Sequence, residues 1–421
     1  MECAREYGGE EVRYRCECSG TLEVRHDLSA LRGRAMTDAF DARLGSRSAL
    51  DRSGVWRFRE MVLPLEERHI VTRGEGGTTL YRSEAGTALS RFAGMDSFWL
   101  KHEGENPTGS FKDRGMTSGV SMAKMLGMTR VACASTGNTS ASMASYAAIA
   151  GMKAVVFIPE GNIAFGKLGQ ALAYGARTVQ IRGDFDDAMR LVEQVAASEG
   201  MYLLNSLNPY RLEGQKSIGL ELLQDLAWDP PDWIVVPGGN LGNNSAIFKG
   251  LSELQSLGLL RRMPRLAVVQ AAGANPLYRA FTSGADRVKP IERADTISTA
   301  IKIGNPISAT KSLRAVRETN GVVEQATDQE SMDAKAHIDA AGIGAEPASC
   351  VTVAGLRKLV AAGTIKPDER VACVLTGHLL KDPDATAKYH RSELGAAIAS
   401  NFANAPVPCD ATIDAVRRAI G

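Results

Sequence analysis

A short polar segment at residues 106–115 (NPTGSFKDRG) carries a lysine at an unusual position. Ser110 is a suitable helix N-cap and Asp113 follows three residues later, so the spacing predicts a helix with Lys112 in its first turn. An ammonium group is unfavourable there, because the amino end of a helix carries partial positive charge. The position therefore favours a neutral amine, the form that Schiff-base chemistry with a carbonyl compound requires. A lone lysine is more often a solvated surface residue.

Three further polar segments help to decide whether Lys112 is a reactive amine or a surface residue. Residues 135–142 (STGNTSAS) combine hydroxyl groups with the start of an alanine-rich helix, and free helix amides can bind a carboxylate or phosphate. Asn138 adds an amide that could reach a cofactor oxygen. An ordinary capped turn explains this segment equally well. Thr376 ends the last apolar run of the chain, where its alternative role is that of a buried threonine bonded to its own backbone.

The remaining segment is rich in glycine and leads into a helix. Gly238, Gly239 and Gly242 let the backbone approach an anion closely. No Gly-Lys-Ser/Thr follows, so the segment is not a nucleoside-triphosphate loop, and the glycine spacing does not match a dinucleotide fingerprint. A single bound phosphate is the remaining interpretation.

Short apolar runs alternate with amphipathic segments from Phe98 onward and position these loops. Strands are predicted at 98–103, 131–136, 154–159, 178–183, 202–206, 233–239, 266–273, 322–327 and 371–377. Such alternation is typical of mostly parallel sheets covered by helices, and these bind ligands at the carboxyl ends of their strands. We predict an α/β fold with doubly wound, mostly parallel sheets in two domains. The first 60 or so residues are charged and irregular, and residues 16–24 resemble a small strand-and-turn module.

Composition excludes several other classes of protein. The 421 residues suit two or three domains, and 49 basic residues nearly balance 48 acidic ones, which argues against nucleic acid as a partner. No apolar run approaches the roughly 20 residues of a membrane span. With no signal-like start and seven scattered cysteines, we expect reduced thiols and a cytoplasmic location.

Together the motifs resemble those of the pyridoxal-phosphate enzymes of the tryptophan-synthase-β fold type, and within them the plant-like branch of the threonine synthase family. The resemblance covers nearly the whole chain. It rests on NPTGSFKDRG, ASTGNTSAS, GGNLGN and LTGHLLKDP, and also on GEGGTTL, AYGARTV and NSLNPYRLEGQK. The amino-terminal stretches GTLEVRHDL and SGVWRFREMVLP resemble the plant-like branch in particular.

The resemblance implies a role for each matching residue. Lys112 becomes the Schiff-base lysine and general acid/base, Asn138 the partner of the pyridoxal 3-hydroxyl, and Thr376 the partner of the pyridine nitrogen. The cofactor phosphate is assigned to Gly239, Asn240, Leu241, Gly242 and Asn243. The substrate carboxylate is assigned to Ser135 and Thr139, and the substrate phosphate to Asn205, Ser206 and Arg211. The arginine also makes chemical sense by itself, because its planar fork matches phosphate geometry.

The implied reaction converts O-phospho-L-homoserine and water to L-threonine and phosphate, in a protein expected to be a homodimer. The implied division is an N-terminal extension (1–70), a large cofactor domain (71–100 and 204–400), a small closing domain (101–203) and a tail (401–421). A cysteate synthase, a threonine or serine dehydratase, and a non-catalytic protein that binds phosphorylated metabolites remain alternatives. The GGNLGN loop speaks against a dehydratase, and Arg211 speaks for a phosphorylated substrate.

Some positions depart from the family pattern. Leu379 replaces a glycine that is usual after the histidine, which affects local loop geometry. Only Cys3, Cys16 and Cys18 remain of the paired cysteine motifs that some relatives carry. His26 is a conceivable fourth ligand, but we expect no metal, because zinc usually takes four regularly spaced ligands. His102 and His378 flank the expected site, and we expect packing or hydrogen-bonding roles for them.

Overall fold

The computed structural model describes residues 3–31, 35–160, 165–182 and 185–420 of the chain. Gly183, the last residue of one predicted strand, lies outside the described residues. None of the helices in the described part combines the length and apolar composition that a membrane span needs.

Ten strands occur in the described residues, and they form two sheets. All nine predicted strands are present, and one short strand before them was not predicted. Their bounds are β1 Leu80–Ser83, β2 Phe98–His102, β3 Arg130–Ala134, β4 Lys153–Pro159, β5 Arg177–Ile181, β6 Tyr202–Leu203, β7 Trp233–Pro237, β8 Arg265–Ala271, β9 Val322–Ala326 and β10 Val371–Leu375.

The larger sheet has six strands in the order β1-β2-β10-β7-β8-β9, and only β1 runs antiparallel to its neighbour. The smaller sheet has four parallel strands in the order β5-β4-β3-β6. The predicted α/β class with mostly parallel sheets is therefore confirmed. Parallel strands end at a common edge, so the loops after β3, β7 and β10 are the ones expected to meet a ligand.

Helices connect and cover the strands. The α-helices are α1 Ala35–Ala42, α2 Ala49–Arg52, α3 Arg59–Val62, α4 Ala88–Ala93, α5 Lys112–Met125, α6 Asn138–Ile149, α7 Phe165–Ala173, α8 Phe185–Ser198, α9 Tyr210–Gln215, α10 Ser217–Asp225, α11 Gly242–Ser256, α12 Pro276–Thr282, α13 Ala309–Glu318, α14 Asp328–Ala340, α15 Pro347–Ala361, α16 Pro383–His390 and α17 Ile413–Ile420. Short 3-10 helices lie at Ser29–Leu31, Arg43–Gly45, Trp56–Phe58, Glu67–His69, Glu103–Glu105, Thr299–Ile301 and Leu379–Lys381.

The central strands are buried on both faces, which explains their continuously apolar sequence. In β7, Trp233 and Val235 face one apolar cluster, while Ile234 and Val236 face another on the opposite side of the sheet. A third cluster fills the space between the four-stranded sheet and helices α5 and α6. Because helices cover both faces, the strand edges and the loops beyond them are the natural places for polar chemistry.

The predicted strand-and-turn module near the amino terminus is a tight turn with a single bridge. Arg15 and Thr21 pair as an isolated antiparallel bridge. Within it, the Cys16 N–H donates to the Gly20 carbonyl at 2.9 Å, and the Ser19 N–H donates to the Cys16 carbonyl at 2.8 Å. The turn contains no strand longer than this bridge within the described residues.

Candidate active site

Lys112 is the first residue of α5, as the spacing predicts, but the expected cap is wrong. Phe111 occupies the N-cap position without a capping side chain. The Ser110 hydroxyl is buried and has no partner among the described residues. Asp113 instead accepts bonds from the Thr108 backbone N–H at 2.7 Å and the Thr108 hydroxyl at 2.6 Å. Asp113 thus fixes the preceding turn, and the hydroxyl of Ser110 remains available.

The Lys112 amine lies 4.2 Å from the centre of the Phe111 ring. Burial and repulsion from Arg211 together lower the pKa of Lys112 to about 7, against an opposing effect of Glu346. The predicted neutral amine thus has desolvation as its main cause, with a neighbouring cation adding to it.

The loop after β3 brings Asn138 to the start of α6. Its side-chain amide donates to both carboxylate oxygens of Glu346, at 3.1 and 3.2 Å. The Ser135 hydroxyl accepts a bond from the Gly137 N–H at 3.3 Å, and Thr139 lies in the first helical turn. Ser142, one turn further along α6, donates to Asp113 at 2.5 Å. That bond holds the amino ends of α5 and α6 side by side.

The glycine-rich loop after β7 forms a cradle of backbone amides. A Cβ on Gly238 would lie 2.7 Å from Val268, so the loop must pass close to the sheet. Leu241 has a φ of +63° and occupies the N-cap of α11. The first backbone bond of this helix runs from Ser245 to Leu241, so the N–H groups of the preceding turn have no helical partners.

The side chains of this loop also indicate an anion-binding site. Both polar atoms of the Asn243 side chain are buried and have no partner among the described residues. Asn240 donates to the Ser206 hydroxyl at 3.2 Å and accepts from the Ile307 N–H at 3.2 Å. A buried amide without partners is costly in a native protein, so a ligand at this cradle would satisfy it.

Thr376 follows β10 and is buried, with its hydroxyl 3.0 Å from that of Ser349 on α15. The Thr376 carbonyl accepts a bond from the Phe111 N–H at 3.0 Å. Ser110 and Gly377 form an antiparallel bridge. The lysine loop and the threonine loop, which lie more than 250 residues apart in the sequence, are therefore joined directly by backbone hydrogen bonds.

Arg211 is buried without a carboxylate partner among the described residues. One of its nitrogens donates to the Leu204 carbonyl at 3.0 Å, and Nε has no partner. Burial lowers the pKa of Arg211 to about 10. Its aliphatic stem crosses α5 at Gly119, where a Cβ would lie 3.1 Å from Arg211 Cγ. A buried cation without an anion is unfavourable by itself and indicates an anionic ligand.

The two other predicted phosphate ligands have different surroundings. Ser206 contacts Asn240 of the glycine-rich loop, as described above. Asn205 bonds the Ala134 backbone with both ends of its amide, at 3.0 Å each. These bonds fix the end of β3 just before Ser135.

Three residues near the site were missed from the sequence. Glu346, at the N-cap of α15, contacts Asn138 and influences Lys112. Ser349 contacts Thr376. Lys381 donates to Gln170 on α7, and burial lowers its pKa. A Glu-Pro pair at a helix start was the only available signal for Glu346, and it indicates a helix boundary rather than a ligand.

The two histidines stack with their ring centres 6.1 Å apart and their planes 9° apart. Nδ1 of His102 accepts a bond from the Gly104 N–H, and Nδ1 of His378 accepts one from the Leu380 N–H, each at 3.2 Å. Leu379 packs against Gly344, whose φ of +71° and missing side chain leave room for it. Both imidazoles thus cap turns.

These groups fit pyridoxal 5′-phosphate. An amine of lowered pKa suits its aldehyde, the cradle with the unpartnered Asn243 amide suits its phosphate, and a buried hydroxyl at Thr376 suits its ring nitrogen. The unpaired Arg211 adds room for a second anion. Fold and site together define the class of pyridoxal-phosphate-dependent enzymes.

Comparison with known proteins leads to the same class. The model of the family described as "Pyridoxal-phosphate dependent enzyme" matches residues 71–377. The threonine synthase of Methanosarcina acetivorans is 46% identical over 100% of this chain and 97% of its own length. Threonine synthase 2, chloroplastic, of Arabidopsis thaliana is 40% identical over 97% of this chain and 81% of its own length.

Among solved structures, the diaminopropionate ammonia lyase of Escherichia coli matches with a TM-score of 0.63 and 16% identity, over 80% of this chain and 92% of that one. This likeness shows the shared fold. The chain belongs to the pyridoxal-phosphate-dependent enzymes, and within that family it groups with the threonine synthases.

Proposed function

We propose that the protein converts O-phospho-L-homoserine and water to L-threonine and phosphate. The observation that carries this proposal is the buried guanidinium of Arg211, which has no carboxylate partner among the described residues and lies close enough to Lys112 to lower its pKa. A substrate with its own phosphate would supply the missing anion beside the reacting amine.

Residues of the chain divide between cofactor and substrate in this proposal. Lys112 would bind the aldehyde, Asn138 the 3-hydroxyl, and Thr376 the ring nitrogen. The phosphate of the cofactor would be held by the loop residues Gly239, Asn240, Leu241, Gly242 and Asn243. When bound, pyridoxal phosphate supplies a ring that withdraws electrons from the substrate carbons.

The substrate would be positioned by residues that follow β3 and β6 of the four-stranded sheet. Ser135 and Thr139 would hold its carboxylate at the amino end of α6. Arg211 and Ser206 would hold its phosphate. We assign Asn205 to the same pocket, and its bonds to Ala134 support a positioning contribution there.

Lys112 would perform the proton transfers. A pKa near 7 leaves a substantial fraction of its Nζ neutral at physiological pH, so Lys112 can accept the α-proton of the substrate and, once it has lost that proton, a β-proton. Arg211 would stabilise the phosphate as it leaves. Glu346 would hold the Asn138 amide in place.

We also propose that the unit at 101–203 closes over the substrate against the unit formed by 71–100 and 204–400, between an extension at 1–70 and a tail at 401–421. Ser135 and Thr139 follow the four-stranded sheet, whereas Thr376 and the phosphate loop follow the six-stranded sheet. The Asn138–Glu346 and Lys381–Gln170 contacts join the two sides. A homodimer and a cytoplasmic location are further proposals, testable by light scattering and cell fractionation.

Arg211→Gln tests the proposal. We expect kcat/KM for O-phospho-L-homoserine to fall by about 10²- to 10³-fold, as is typical when one partner of a buried charge pair is removed. The cofactor absorbance should stay nearly unchanged. Arg314→Gln, on an exposed helix face with a Glu318 partner, is the matched control and should retain activity.

Substrate turnover decides between the alternatives, measured as phosphate release for the two phosphorylated substrates and as ammonia release for L-threonine. Wild-type protein is incubated with O-phospho-L-homoserine, with O-phospho-L-serine plus sulfite, and with L-threonine. Release from the first substrate alone supports the proposal, whereas turnover of the second or third would identify a cysteate synthase or a dehydratase. If Arg211→Gln loses the cofactor as well, Arg211 belongs to the cofactor pocket and its assignment is wrong.

A further inference from the structure

Three cysteines converge in the amino-terminal segment, away from the site described above. The sulfur atoms of Cys3, Cys16 and Cys18 all lie within 4.8 Å of one another, and those of Cys3 and Cys16 are 3.3 Å apart. Cys133, Cys350 and Cys373, in contrast, are buried within the sheets and α15, and Cys409 is exposed. The amino-terminal three are the group of cysteines that the fold gathers within the described residues.

The backbone of residues 16–20 turns so that it supports the sulfur atoms. The Cys16 N–H donates to the Gly20 carbonyl at 2.9 Å and the Ser19 N–H to the Cys16 carbonyl at 2.8 Å, which closes the turn that carries Cys16 and Cys18. The Ser19 φ of +66° tightens the turn. Thiolates are the form of cysteine that binds metals.

We propose that Cys3, Cys16 and Cys18 bind one zinc ion as three thiolates, with solvent in the fourth position. Two sulfurs bonded to a tetrahedral zinc at about 2.3 Å lie about 3.8 Å apart. This spacing falls between the 3.3 Å that separates Cys3 from Cys16 and the 4.8 Å within which all three sulfurs lie. Cys3 and Cys18 are exposed, so the open side faces solvent. Thiolate ligands select soft or borderline ions such as zinc over magnesium or calcium.

The surroundings of the cluster offset its negative charge. The Tyr7 hydroxyl lies 3.2 Å from the Cys16 sulfur, and the guanidinium of Arg13 lies 4.2 Å from the centre of the Tyr7 ring. His26, the conceivable fourth ligand from the sequence, is elsewhere: its Nε2 lies 2.7 Å from Glu213. Among the described residues, no fourth His, Cys, Asp or Glu joins the three cysteines.

A disulfide between Cys3 and Cys16 is the competing explanation, but it would use only two of the three converging thiols. A metal ion uses all three sulfurs and joins residue 3 to a turn that lies 13 residues further along the chain.

The zinc would stabilise a segment that packs beside the substrate pocket. The Tyr14 hydroxyl accepts a bond from the Leu203 N–H at 2.7 Å, and its ring meets that of Tyr202 edge-on. The Tyr210 hydroxyl donates to the Gly9 carbonyl. Because Arg211 follows Tyr210 directly, loss of the metal is expected to loosen this side of the protein.

The experiment measures zinc in full-length protein purified under reducing conditions, in the wild type and in Cys3→Ser, Cys16→Ser, Cys18→Ser and Cys409→Ser. We expect one zinc per chain in the wild type and in Cys409→Ser, and substoichiometric zinc in the other three. Cobalt exchanged into the wild type should give thiolate charge-transfer absorption that Cys409→Ser retains. Retained cofactor absorbance in each variant shows that it has folded.

Thiol counting in the wild type covers the case in which the serine variants fail to fold. A chelator should raise the number of rapidly reacting thiols by three and lower the melting temperature. The proposal is overturned if reduced wild type binds no zinc when the ion is added, if the three variants retain stoichiometric zinc, or if mass spectrometry finds a Cys3–Cys16 disulfide instead. None of these outcomes depends on the proposed threonine synthase activity.

Discussion

Two basic side chains dominate the site at the scale of single residues, and neither has a carboxylate hydrogen bond among the described residues. Arg211 lowers the pKa of Lys112, and burial lowers the pKa of both groups. Such an arrangement is unfavourable until anions arrive. The cofactor and the phosphorylated substrate would supply them, so binding and the correct protonation of the lysine are coupled.

The titration of Lys112 in the cofactor-free protein tests this coupling. We expect its acylation by an amine reagent to rise with a midpoint near pH 7, because the pKa is lowered to about 7 and only the neutral amine reacts. An ordinary lysine has a pKa of about 10.4. Arg211→Met should raise the midpoint by removing a nearby positive charge. Peptide mass spectrometry as a function of pH gives the value, with exposed Lys388 as the reference peptide.

Two outcomes would contradict this prediction. A midpoint in the ordinary range would show that Lys112 is solvated in the free protein. No change in Arg211→Met would show that the two groups do not interact, and the second anion site would then have to lie elsewhere.

At the scale of elements, local pattern predicted most of the scaffold. The nine predicted strands are present because each is a continuous apolar run between helices. β1 escaped prediction because its four residues, partly exposed, pair antiparallel at the sheet edge. The Ser110 cap was wrong for a related reason: sequence spacing cannot show that Asp113 turns back to Thr108.

Contacts between distant elements account for the rest of the site. Glu346 and Ser349 act through α15, and they reach Asn138 and Thr376 only because β10 lies between β2 and β7 in the sheet. No spacing along the chain encodes that neighbour relation. The four loops could be predicted from their unusual polar residues, whereas the groups that hold them needed the structure.

Gly377 allows the loop after β10 to pass against α15, because it has no side chain. A Cβ at this position would lie 2.3 Å from the Glu346 carboxylate. Gly377→Ala should therefore displace Glu346 from Asn138 and lower kcat/KM by about 10-fold or more, since small misplacements in an active site are costly. Steady-state kinetics and cofactor titration provide the measurement.

Gly45→Ala is the control, because a Cβ there meets nothing within 4 Å. It should behave as wild type. If Gly377→Ala also retains full kcat/KM and cofactor affinity, the Glu346–Asn138 contact has no part in positioning the site.

At the scale of the whole molecule, a buried ionic network joins segments that the sheets alone do not connect. Arg114 lies two residues after Lys112 in the first turn of α5. It bonds Glu103 at 2.6 Å and Glu221 at 2.7 Å, and all three side chains are fully buried. Glu221 also bonds Arg57 at 2.9 Å and the Gly77 N–H at 2.8 Å. The network thus holds the amino-terminal segment, α5 and α10 together behind the lysine.

Arg114→Met should destabilise the protein by about 3–5 kcal/mol, because it leaves two buried carboxylates without their shared partner. Arg314→Met, which breaks an exposed pair with Glu318, should cost no more than about 0.5 kcal/mol. Denaturant midpoints and melting temperatures of the holoenzymes give the comparison. Equal stability of the two variants would mean that the network contributes little.

The pH dependence separates this electrostatic loss from a simple packing defect. Burial would raise the pKa of Glu221, but Arg114 and Lys101 overcome it and hold the pKa well below its usual range. In the wild type this contribution is present above the unfolded pKa and is lost as the pH falls through the folded one. Without Arg114 the largest charge that opposes burial is lost, so the pKa of Glu221 rises and the penalty of the variant becomes smaller as the pH falls. The stability gap between wild type and Arg114→Met should therefore narrow as the pH falls from about pH 7.5 into the acid range, whereas a packing defect would leave it constant.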